Sequence, residues 1–291
     1  MSVLFRKLGP LGISTEILWH KPAGDDCSIS FDAIIRIRSQ PIPNSEKLMT
    51  YCVAMRLEQG LVFASDSRTS AGVDDVSVYS KMHRFDTSPD RLLVLLSAGN
   101  LATTQAVNSQ IERDLGNPEI SRDINGFSHL DEVAAYVGEI SARVQGTYTE
   151  QSEQNGFGAS FILGGQIGKL PPDIFLVYPA GNYIAASRDK PFLQIGETKY
   201  GKPILDRIIE PATSLERAGR CALVSMDASM RSNLSVGPPI ELLLYTAGTL
   251  DETRYHRFDE SDDYLQRLSS AWSEGLKELF MKLPRFDWES E

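Results

Sequence analysis

The chain has 291 residues, of which 23 % are charged and 42 % hydrophobic, and it carries a formal net charge of −10. This length permits one large domain or two smaller ones, and the negative charge argues against a nucleic-acid partner, because nothing would offset the repulsion of the phosphates. The longest apolar runs, Leu92–Leu96 and Ile240–Tyr245, are far shorter than the roughly 20 residues of a membrane-spanning helix, so we expect no membrane partner.

Cysteine and histidine usage narrows the class of protein further. The three cysteines are too few and too scattered for a disulfide framework, so a reducing cytoplasm is the expected location. The four histidines form neither an HExxH motif nor a close pair, which makes a zinc hydrolase an unfavourable interpretation. We therefore expect no metal and no cofactor.

Residues 1–49 differ in character from the rest of the chain. The stretch Ser39-Gln-Pro-Ile-Pro-Asn-Ser45 is typical of a linker, because proline blocks helices and removes hydrogen-bond donors. Arg6 and Lys7 are not followed by an apolar segment long enough for a secretory signal. We expect a leader that is disordered or removed, or a start codon set too early, with Met49 as the true start. A folded element integral to the protein is the third alternative.

The first strand pair is predicted immediately after this leader. Thr50–Leu57 and Leu61–Asp66 flank a short turn that ends at Gly60, which predicts a hairpin. A turn centred near residues 58 and 59 places Thr50 opposite residue 67, so antiparallel pairing brings Asp66 beside Thr50. The chain turns small and polar directly after this apolar strand, which is where functional sites tend to lie.

The remaining elements alternate between pairs of strands and pairs of helices. Further strands are predicted at Val78–Phe85, Arg91–Ser97, Ala159–Gly164, Ile174–Val177, Tyr183–Ala186, Phe192–Ile195 and Ile240–Ala247. Helices are predicted at Leu101–Leu115, Leu130–Tyr148, Gly201–Ile209, Leu215–Met230 and Asp262–Leu283. This order favours a layered sandwich with helices outside two sheets. The acidic run Asp251–Asp263 is expected to be a solvated loop and helix start, and the apolar stripe of the last helix to pack in the core.

Two further segments could contribute chemistry near Thr50. Lys81 is the next basic residue in a strand-like setting, and Leu95–Asn100 joins a hydrophobic strand to the start of a helix. Backbone N–H groups at such a junction are free to bind an oxyanion. Cys52 is a rival nucleophile, although it would lack an adjacent amine, and Cys221 lies in an apolar helix stripe typical of a core.

Several of these segments resemble a known family. Met49-Thr-Tyr-Cys-Val-Ala-Met55, Phe63-Ala-Ser-Asp-Ser-Arg68, Lys81 and Ser97-Ala-Gly-Asn100 look like a proteasome-type β subunit, in particular the bacterial ancestral β-subunit group called Anbu. Aspartate 16 residues and lysine 31 residues after the threonine form the specific part of the signal.

The resemblance extends over nearly the whole chain after the leader. Phe192–Asp206 and Met230–Pro239 resemble the bacterial group most, and the similarity runs from Met49 to the C-terminal helix. It implies an α+β fold, the four-layer αββα sandwich of the N-terminal-nucleophile hydrolases, with residues 50–291 as the peptidase domain.

The resemblance also implies roles for five residues. Thr50 would be the nucleophile once it is the first residue, with its own α-amine as the base that a hydroxyl needs. Lys81 would lower the pKa of the amine or the hydroxyl, and Asp66 would pair with Lys81 and hold it in place. The amide of Gly99 would stabilise the oxyanion, and Ser235 matches the family serine that supports the site.

Two departures from the family pattern bear on this interpretation. The aspartate expected three residues before Ser235 is Ser232 here, which weakens the expected site, and Asp227 could compensate only from a different spacing. Proteasome propeptides typically end in glycine before the threonine, whereas this chain has Met49. That difference favours a start codon set too early over self-processing.

The implied function is a threonine-type peptidase acting on peptides or unfolded proteins inside a homo-oligomer, arranged as a ring or a helical stack. The chain contains no nucleotide-binding motif, so an ATPase unfoldase, where one takes part, is a separate chain. A non-catalytic structural subunit of such a particle and an amidohydrolase for small amides are the alternatives, since a fold does not determine a function.

Overall fold

The computed structural model describes residues 6–8, 13–19, 33–38, 50–70, 76–117, 119–120, 122–150 and 156–289. The chain divides into two compact units, Met1–Glu46 and Lys47–Glu291. In the first unit, β1 (Arg6–Leu8), β2 (Ile13–Trp19) and β3 (Ala33–Arg38) form an antiparallel sheet in that order. These strands were not predicted from the sequence, although a folded element was one of the three alternatives for this segment.

Two five-stranded antiparallel sheets form the centre of the second unit. The first sheet has the order β13-β4-β5-β14-β15, and the second has the order β12-β11-β10-β9-β8. Their strands are β4 (Tyr51–Leu57), β5 (Gly60–Asp66), β8 (Met82–Arg84), β9 (Arg91–Gly99), β10 (Ala159–Ile167), β11 (Asp173–Val177), β12 (Tyr183–Ala185), β13 (Phe192–Gly196), β14 (Ile240–Thr246) and β15 (Tyr255–Phe258). A separate ribbon pairs β6 (Arg68–Ser70) with β7 (Val76–Val78).

Helices cover the outer face of each sheet. They are α1 (Leu101–Asp114), α2 (Leu130–Glu150), α3 (Lys202–Ile208), α4 (Leu215–Ser232) and α5 (Asp263–Met281). One core packs β4, β5 and β14 against α3, α4 and the start of α5, and a second packs β9, β10 and β11 against α1 and α2. A third core lies between the two sheets. This arrangement confirms the predicted four-layer αββα sandwich.

The predicted hairpin is confirmed in its register. Cys52 pairs with Ser65 and Leu57 with Gly60, so the residue numbers of each pair add up to 117, as the sequence predicts. Gly60 has φ +145°, and a Cβ there would lie 1.9 Å from the carbonyl oxygen of Tyr245. Glycine is therefore required where the turn passes close to β14.

The predicted strand Val78–Phe85 is wrong as a single element. Its first residue, Val78, pairs with β6, the residues 82–84 pair with β9, and the segment 79–81 between them belongs to no strand. The break lies at Lys81, whose side chain turns inward to Asp66.

Two expectations for the C-terminal region are also corrected. Tyr255–Phe258, inside the acidic run expected to be a loop, forms β15 on the edge of the first sheet. In α5, Leu265 is buried and Leu268 packs against the core, but Leu276 and Leu279 are exposed. The last turns of the helix extend past the sandwich, so only the first part of its apolar stripe is core. Across the described ranges, no helix is long and apolar enough to cross a bilayer.

Candidate active site

Thr50 lies directly before β4 and is almost completely buried, with 5 % of its surface exposed. Its carbonyl oxygen accepts a hydrogen bond of 2.6 Å from the backbone N–H of Glu197, which follows β13. Gly196, the last residue of β13, has φ +82°, and a Cβ there would lie 1.8 Å from the Thr50 carbonyl oxygen. Only glycine therefore permits β13 to approach this strand end so closely.

Asp66 ends β5 and is fully buried. Its Oδ1 accepts hydrogen bonds from the backbone N–H of Tyr51 at 3.1 Å and from Lys81 Nζ at 2.8 Å, and its Oδ2 accepts from the backbone N–H of Gly237 at 3.2 Å. Hydrogen bonds from charged or backbone donors to a carboxylate are among the stronger ones in proteins. Asp66 thus joins the start of β4, the lysine and the segment after α4.

Lys81 is the cation of this arrangement. Its ammonium group also donates to the backbone carbonyl of Arg68, and 8 % of its side chain is exposed. A lysine buried to this extent needs a paired carboxylate and hydrogen-bond acceptors, and Asp66 and Arg68 supply them. The structure therefore places Asp66 at the strand end next to Thr50, as the hairpin register predicts, and pairs it with Lys81, as the resemblance implies.

A cavity of about 230 Å³ opens beside these residues. Thr50, Lys81 and Gly99 contribute to its wall. Gly99 ends β9 with φ +120°, and a Cβ there would lie 2.3 Å from the carbonyl oxygen of Gly158. The next residue, Asn100, caps α1 by accepting from the backbone N–H of Thr103 at 3.1 Å. The cavity therefore lies at the strand-to-helix junction where an oxyanion site is expected.

Burial changes the protonation of the groups around the cavity. It raises the pKa of Asp66 above its ordinary value, an effect that the charge and hydrogen bond of Lys81 oppose. It also raises the pKa of the Cys52 thiol well above its ordinary value, so the thiol stays neutral and a poor nucleophile. Cys52 donates to the carbonyl of Ser97 at 3.6 Å and is not a wall residue of the cavity. These observations disfavour Cys52 as the rival nucleophile.

His83 is a wall residue that the sequence analysis did not select. Burial lowers its pKa to about 4, while the charge of Glu241 opposes that change. The ring is therefore neutral near pH 7. Within the described ranges, no group of three or more histidine, cysteine, aspartate or glutamate side chains is placed to hold a metal ion.

Ser235 does not line the cavity. It lies in the segment after α4, where its backbone N–H donates to Asn233 Oδ1 at 3.0 Å. The contact from this segment to the site is made instead by the backbone of Gly237, which donates to Asp66. Ser232 is exposed, and Asp227 pairs with Arg231 on α4 at 2.9 Å. Neither takes the place of the family aspartate.

The contribution of Gly196, Glu197 and Asn233 was not predicted from the sequence. Asn233 Nδ2 donates to Glu197 Oε2 at 3.2 Å, and Glu197 is buried. The sequence contains a signal for Gly196 and Glu197, since this glycine comes directly after the predicted apolar strand and the acidic residue comes directly after the glycine. Nothing local in the sequence places that strand end beside Thr50, because the pairing of β13 with β4 joins segments more than a hundred residues apart.

Comparisons with known proteins agree with this geometry. The sequence model of a family described as "Proteasome subunit" matches residues 49–243. The chain is 24 % identical over 218 residues to the proteasome subunit beta of Haloferax volcanii, a match that covers 73 % of this chain and 80 % of that protein. It is 42 % identical to the solved Anbu (ancestral beta-subunit) from Yersinia bercovieri, with a TM-score of 0.77, and covers 83 % of this chain and 100 % of that one.

The chain belongs to the proteasome subunit family and is a bacterial Anbu-type subunit. A second solved relative, from the helical assembly of the Anbu complex of Pseudomonas aeruginosa, is 42 % identical with a TM-score of 0.77, and the match covers 82 % of this chain and 99 % of that one. The match to the proteasome family begins one residue before Thr50 and contains the other four predicted site residues. The resemblance recognised in the sequence is therefore confirmed.

Proposed function

We propose that this Anbu-type subunit is a threonine-type endopeptidase of a self-compartmentalised assembly, and that Thr50 is its nucleophile after the peptide bond to residue 49 has been cleaved. The observation that carries this proposal is the buried Asp66 carboxylate, which binds both the Tyr51 amide and the Lys81 ammonium. It holds a cation at the wall of the cavity that also contains Thr50 and Gly99.

The proposed reaction begins when the α-amine of Thr50 accepts the proton of its own hydroxyl group. The oxygen attacks the carbonyl carbon of the scissile peptide bond, and the resulting oxyanion is stabilised by the backbone N–H of Gly99. Collapse of this intermediate breaks the carbon–nitrogen bond, and the leaving amine takes the proton from the Thr50 ammonium. Water then hydrolyses the ester with the same amine as base, which restores the free hydroxyl.

Lys81 supports this reaction by electrostatics. A positive charge close to the amine lowers the pKa of the Thr50 ammonium, so more of the amine is available as base near pH 7. An unperturbed α-amine has a pKa of about 7.7–8.0, already close to the working range. Asp66 keeps Lys81 in position and does not itself take up a proton.

Removal of residues 1–49 is part of the proposal. In the full chain the nitrogen of Thr50 belongs to a peptide bond and has no lone pair available as a base. A chain that retains residue 49 would be a non-catalytic structural subunit, which is the second candidate function. The intact mass and the N-terminal residue of the purified protein separate the two, and we expect a mature chain that begins at Thr50.

Self-association in the cytoplasm is the other part of the proposal. A relative of this chain forms the helical assembly of the Anbu complex from Pseudomonas aeruginosa, and we infer a homo-oligomer, a ring or a helical stack, for this chain as well. Enclosed active sites would then act on peptides or unfolded proteins that enter the particle. An ATPase unfoldase, where one takes part, would be a separate chain that delivers unfolded substrate.

The test of the nucleophile is a substitution at Thr50. We expect Thr50→Ala to abolish hydrolysis of fluorogenic peptides, while Thr50→Ser, which keeps a hydroxyl group and an amine, retains measurable turnover. Both variants should assemble as the parent does, as followed by size-exclusion chromatography with light scattering. Unchanged peptide turnover in Thr50→Ala would exclude Thr50 as the nucleophile, and turnover of small amides alone would favour the amidohydrolase.

A further inference from the structure

A second buried acidic residue, Glu197, lies next to Thr50, on the side of β4 opposite Asp66. Glu197 has 4 % of its surface exposed, and its backbone N–H donates to the Thr50 carbonyl at 2.6 Å. The register of β13 against β4 ends with Gly196 opposite Tyr51, so Glu197 is the residue next to Thr50 across the pair. Asp66, by contrast, reaches the same strand end from β5 through the Tyr51 amide.

The carboxylate of Glu197 is held by neutral donors. Its Oε1 accepts from the backbone N–H of Lys199 at 3.3 Å, and its Oε2 accepts from Asn233 Nδ2 at 3.2 Å. Both oxygens act as acceptors, as an ionised carboxylate does. Among the described residues, no lysine, arginine or histidine forms an ion pair with Glu197. Hydrogen bonds offset part of the cost of burying a carboxylate, and a cation that comes within reach of it would offset more.

Asn233 connects this carboxylate to the segment that supports the site. It caps the C-terminus of α4, and its Oδ1 accepts from the backbone N–H of Ser235 at 3.0 Å. The same segment continues to Gly237, which donates to Asp66 Oδ2. Glu197 is therefore held in place by the loop that also orients Asp66, whereas Ser232, at the position of the family aspartate, is exposed.

Two buried anions near Thr50, Glu197 and Glu241, form no ion pair among the described residues, and Glu197 is the one whose backbone binds Thr50 directly. The titratable and charged groups that line the cavity beside Thr50 are Arg68, Tyr79, Lys81 and His83. Those on the strands packed at this strand end, or directly after them, are Tyr51 and Cys52 on β4, Asp66 on β5, Glu241 on β14, and Glu197 and Lys199 after β13. Burial raises the pKa of Tyr51 to about 12 and that of Cys52 well above its ordinary value, and it lowers the pKa of His83 to about 4, so these three are neutral near pH 7.

The other charged groups have their own contacts, which for Arg68 and Glu241 are hydrogen bonds to uncharged groups. Lys81 and Asp66 neutralise each other at 2.8 Å. Arg68 donates to the carbonyl of Leu234 at 3.1 Å. Glu241 accepts from three hydroxyl groups, those of Ser67, Ser80 and Tyr255. Lys199 is exposed.

We propose that Glu197 is a positioning residue of the Thr50 site, and that its carboxylate is the anionic partner of the ammonium group which Thr50 acquires when its bond to residue 49 is cleaved. This inference rests on the proposed function, since it needs a free amine at Thr50. Glu197 holds the new chain end in place and favours its protonated form, and Lys81 opposes that preference. The balance between these two charges sets the pH at which the amine becomes a base.

The proposal is tested by titrating the N-terminal amine of the assembled protein. The rate of acylation of the Thr50 α-amine by an activated ester, followed by mass spectrometry between pH 6 and 9, reports the fraction of neutral amine and requires no peptidase activity. In Glu197→Gln the midpoint of this titration should fall by about 0.5–1 pH unit, because an opposite charge nearby raises the pKa of an ammonium group by about that amount or more. The acidic limb of kcat/KM should move with it.

The control variants separate charge from structure. Glu197→Asp keeps the charge and should titrate within about 0.3 unit of the parent. Asp114→Asn removes an equally buried carboxylate at the far end of α1, where it accepts from Tyr136, and should leave the midpoint unchanged. If Glu197→Gln does not fold, Glu197→Ser removes the same charge with a smaller side chain.

Two results would overturn the inference, and they differ. A free Thr50 amine whose titration is the same in Glu197→Gln and in the parent excludes Glu197 as its partner, even if the variant loses activity, because a purely structural role lowers the plateau without moving the midpoint. Assembled protein that retains residue 49 removes the amine altogether and contradicts the proposed function as well.

Discussion

At the scale of single residues, the site depends on one buried ion pair. Asp66 is fully buried and Lys81 nearly so, and both also bind backbone groups. An ion pair in such a place contributes little net stability when intact, but removal of one partner leaves an uncompensated charge that costs far more. The pair therefore serves mainly to position the start of β4 and contributes little to stability.

Removal of the lysine should cost far more stability than the intact ion pair contributes. We expect Lys81→Met to lower the free energy of unfolding by about 3–5 kcal/mol at pH 8. The loss should be smaller at pH 5, because burial already raises the pKa of Asp66 and, without the lysine, the carboxyl can take up a proton. Urea denaturation at the two pH values measures both effects.

The matched control is Lys202→Met, since Lys202 pairs with Asp206 on the exposed face of α3. Exposed pairs contribute about 0–1 kcal/mol, so this variant should differ little from the parent at either pH. Equal losses in the two variants would show that Asp66 does not depend on Lys81 for its charge.

His83 gives the protein a second pH-dependent contribution to stability. Its folded-state pKa of about 4 lies below the ordinary value of 6.5, so the unfolded chain binds more protons between these values. Stability contributed by the neutral ring is therefore complete above pH 6.5 and is lost as the pH falls towards 4. In His83→Gln this pH dependence should be absent. The slope of the free energy of unfolding against pH should then be smaller than that of the parent by at most about 1.4 kcal/mol per pH unit.

The comparison for this variant is His129→Gln, at an exposed position before α2. Denaturation of parent and variants at pH 4.5, 5.5 and 6.5 isolates the effect, because all other titrating groups are shared. A His83 variant whose curve runs parallel to that of the parent would contradict the assigned direction of the pKa change.

At the scale of elements, two strand ends place the backbone where side chains cannot fit. β9 ends at Gly99 against the carbonyl of Gly158, and β13 ends at Gly196 against the carbonyl of Thr50. Both glycines have positive φ, a conformation that other residues adopt only with strain. These junctions bring Gly99 and Thr50, the proposed oxyanion site and nucleophile, to the same cavity.

Gly99→Ala should therefore disturb the site more than the fold around it. A Cβ at 2.3 Å from backbone atoms forces β9 and the chain at Gly158 apart, and we expect a loss of about 1–3 kcal/mol together with most of the peptidase activity. Gly146→Ala, within α2 where a Cβ meets nothing within 4 Å, should be neutral or stabilising. Thermal unfolding and peptide turnover of the two variants test this contrast.

The sequence predicts those elements whose structure depends on residues close together in the chain. The register of the β4–β5 hairpin follows from one short turn and the alternation of its strands, and it placed Asp66 beside Thr50 correctly. The strand expected at Val78–Phe85 was wrong, because the inward turn of Lys81 depends on a carboxylate in another hairpin. Glu197 and Asn233 were missed for the same reason, since their contact joins two distant loops.

At the scale of the whole molecule, the described surface of the second unit contains a conspicuous apolar segment. Six large apolar side chains from Leu279 to Trp288, at the end of α5 and in the chain after it, are exposed. The side chains of Phe280 and Trp288 are more than 70 % exposed. Contiguous exposed apolar residues of this kind are typical of surfaces that contact another protein. The proposed homo-oligomer offers a partner for this segment in another copy of the chain.

Charge placed in that segment should weaken the assembly. We expect Phe280→Glu to shift the particle towards smaller species in light scattering, because a carboxylate cannot be buried in an apolar contact without a partner. Leu170→Glu, at an exposed apolar residue in the turn between β10 and β11, serves as the control and should keep the size of the parent. Identical particle sizes for Phe280→Glu and the parent would show that this segment takes no part in the contacts.

The hydrogen bonds on either side of Thr50 have a kinetic consequence. Its carbonyl is bound by Glu197 and the following amide by Asp66, so a chain that begins at Thr50 has a first residue already secured on two flanks. Most of the orientational entropy of the reacting group is then lost during folding and not during each turnover. Hydrogen exchange at the Tyr51 amide should consequently track activity, and conditions that fray this one chain end should slow catalysis well before the protein unfolds.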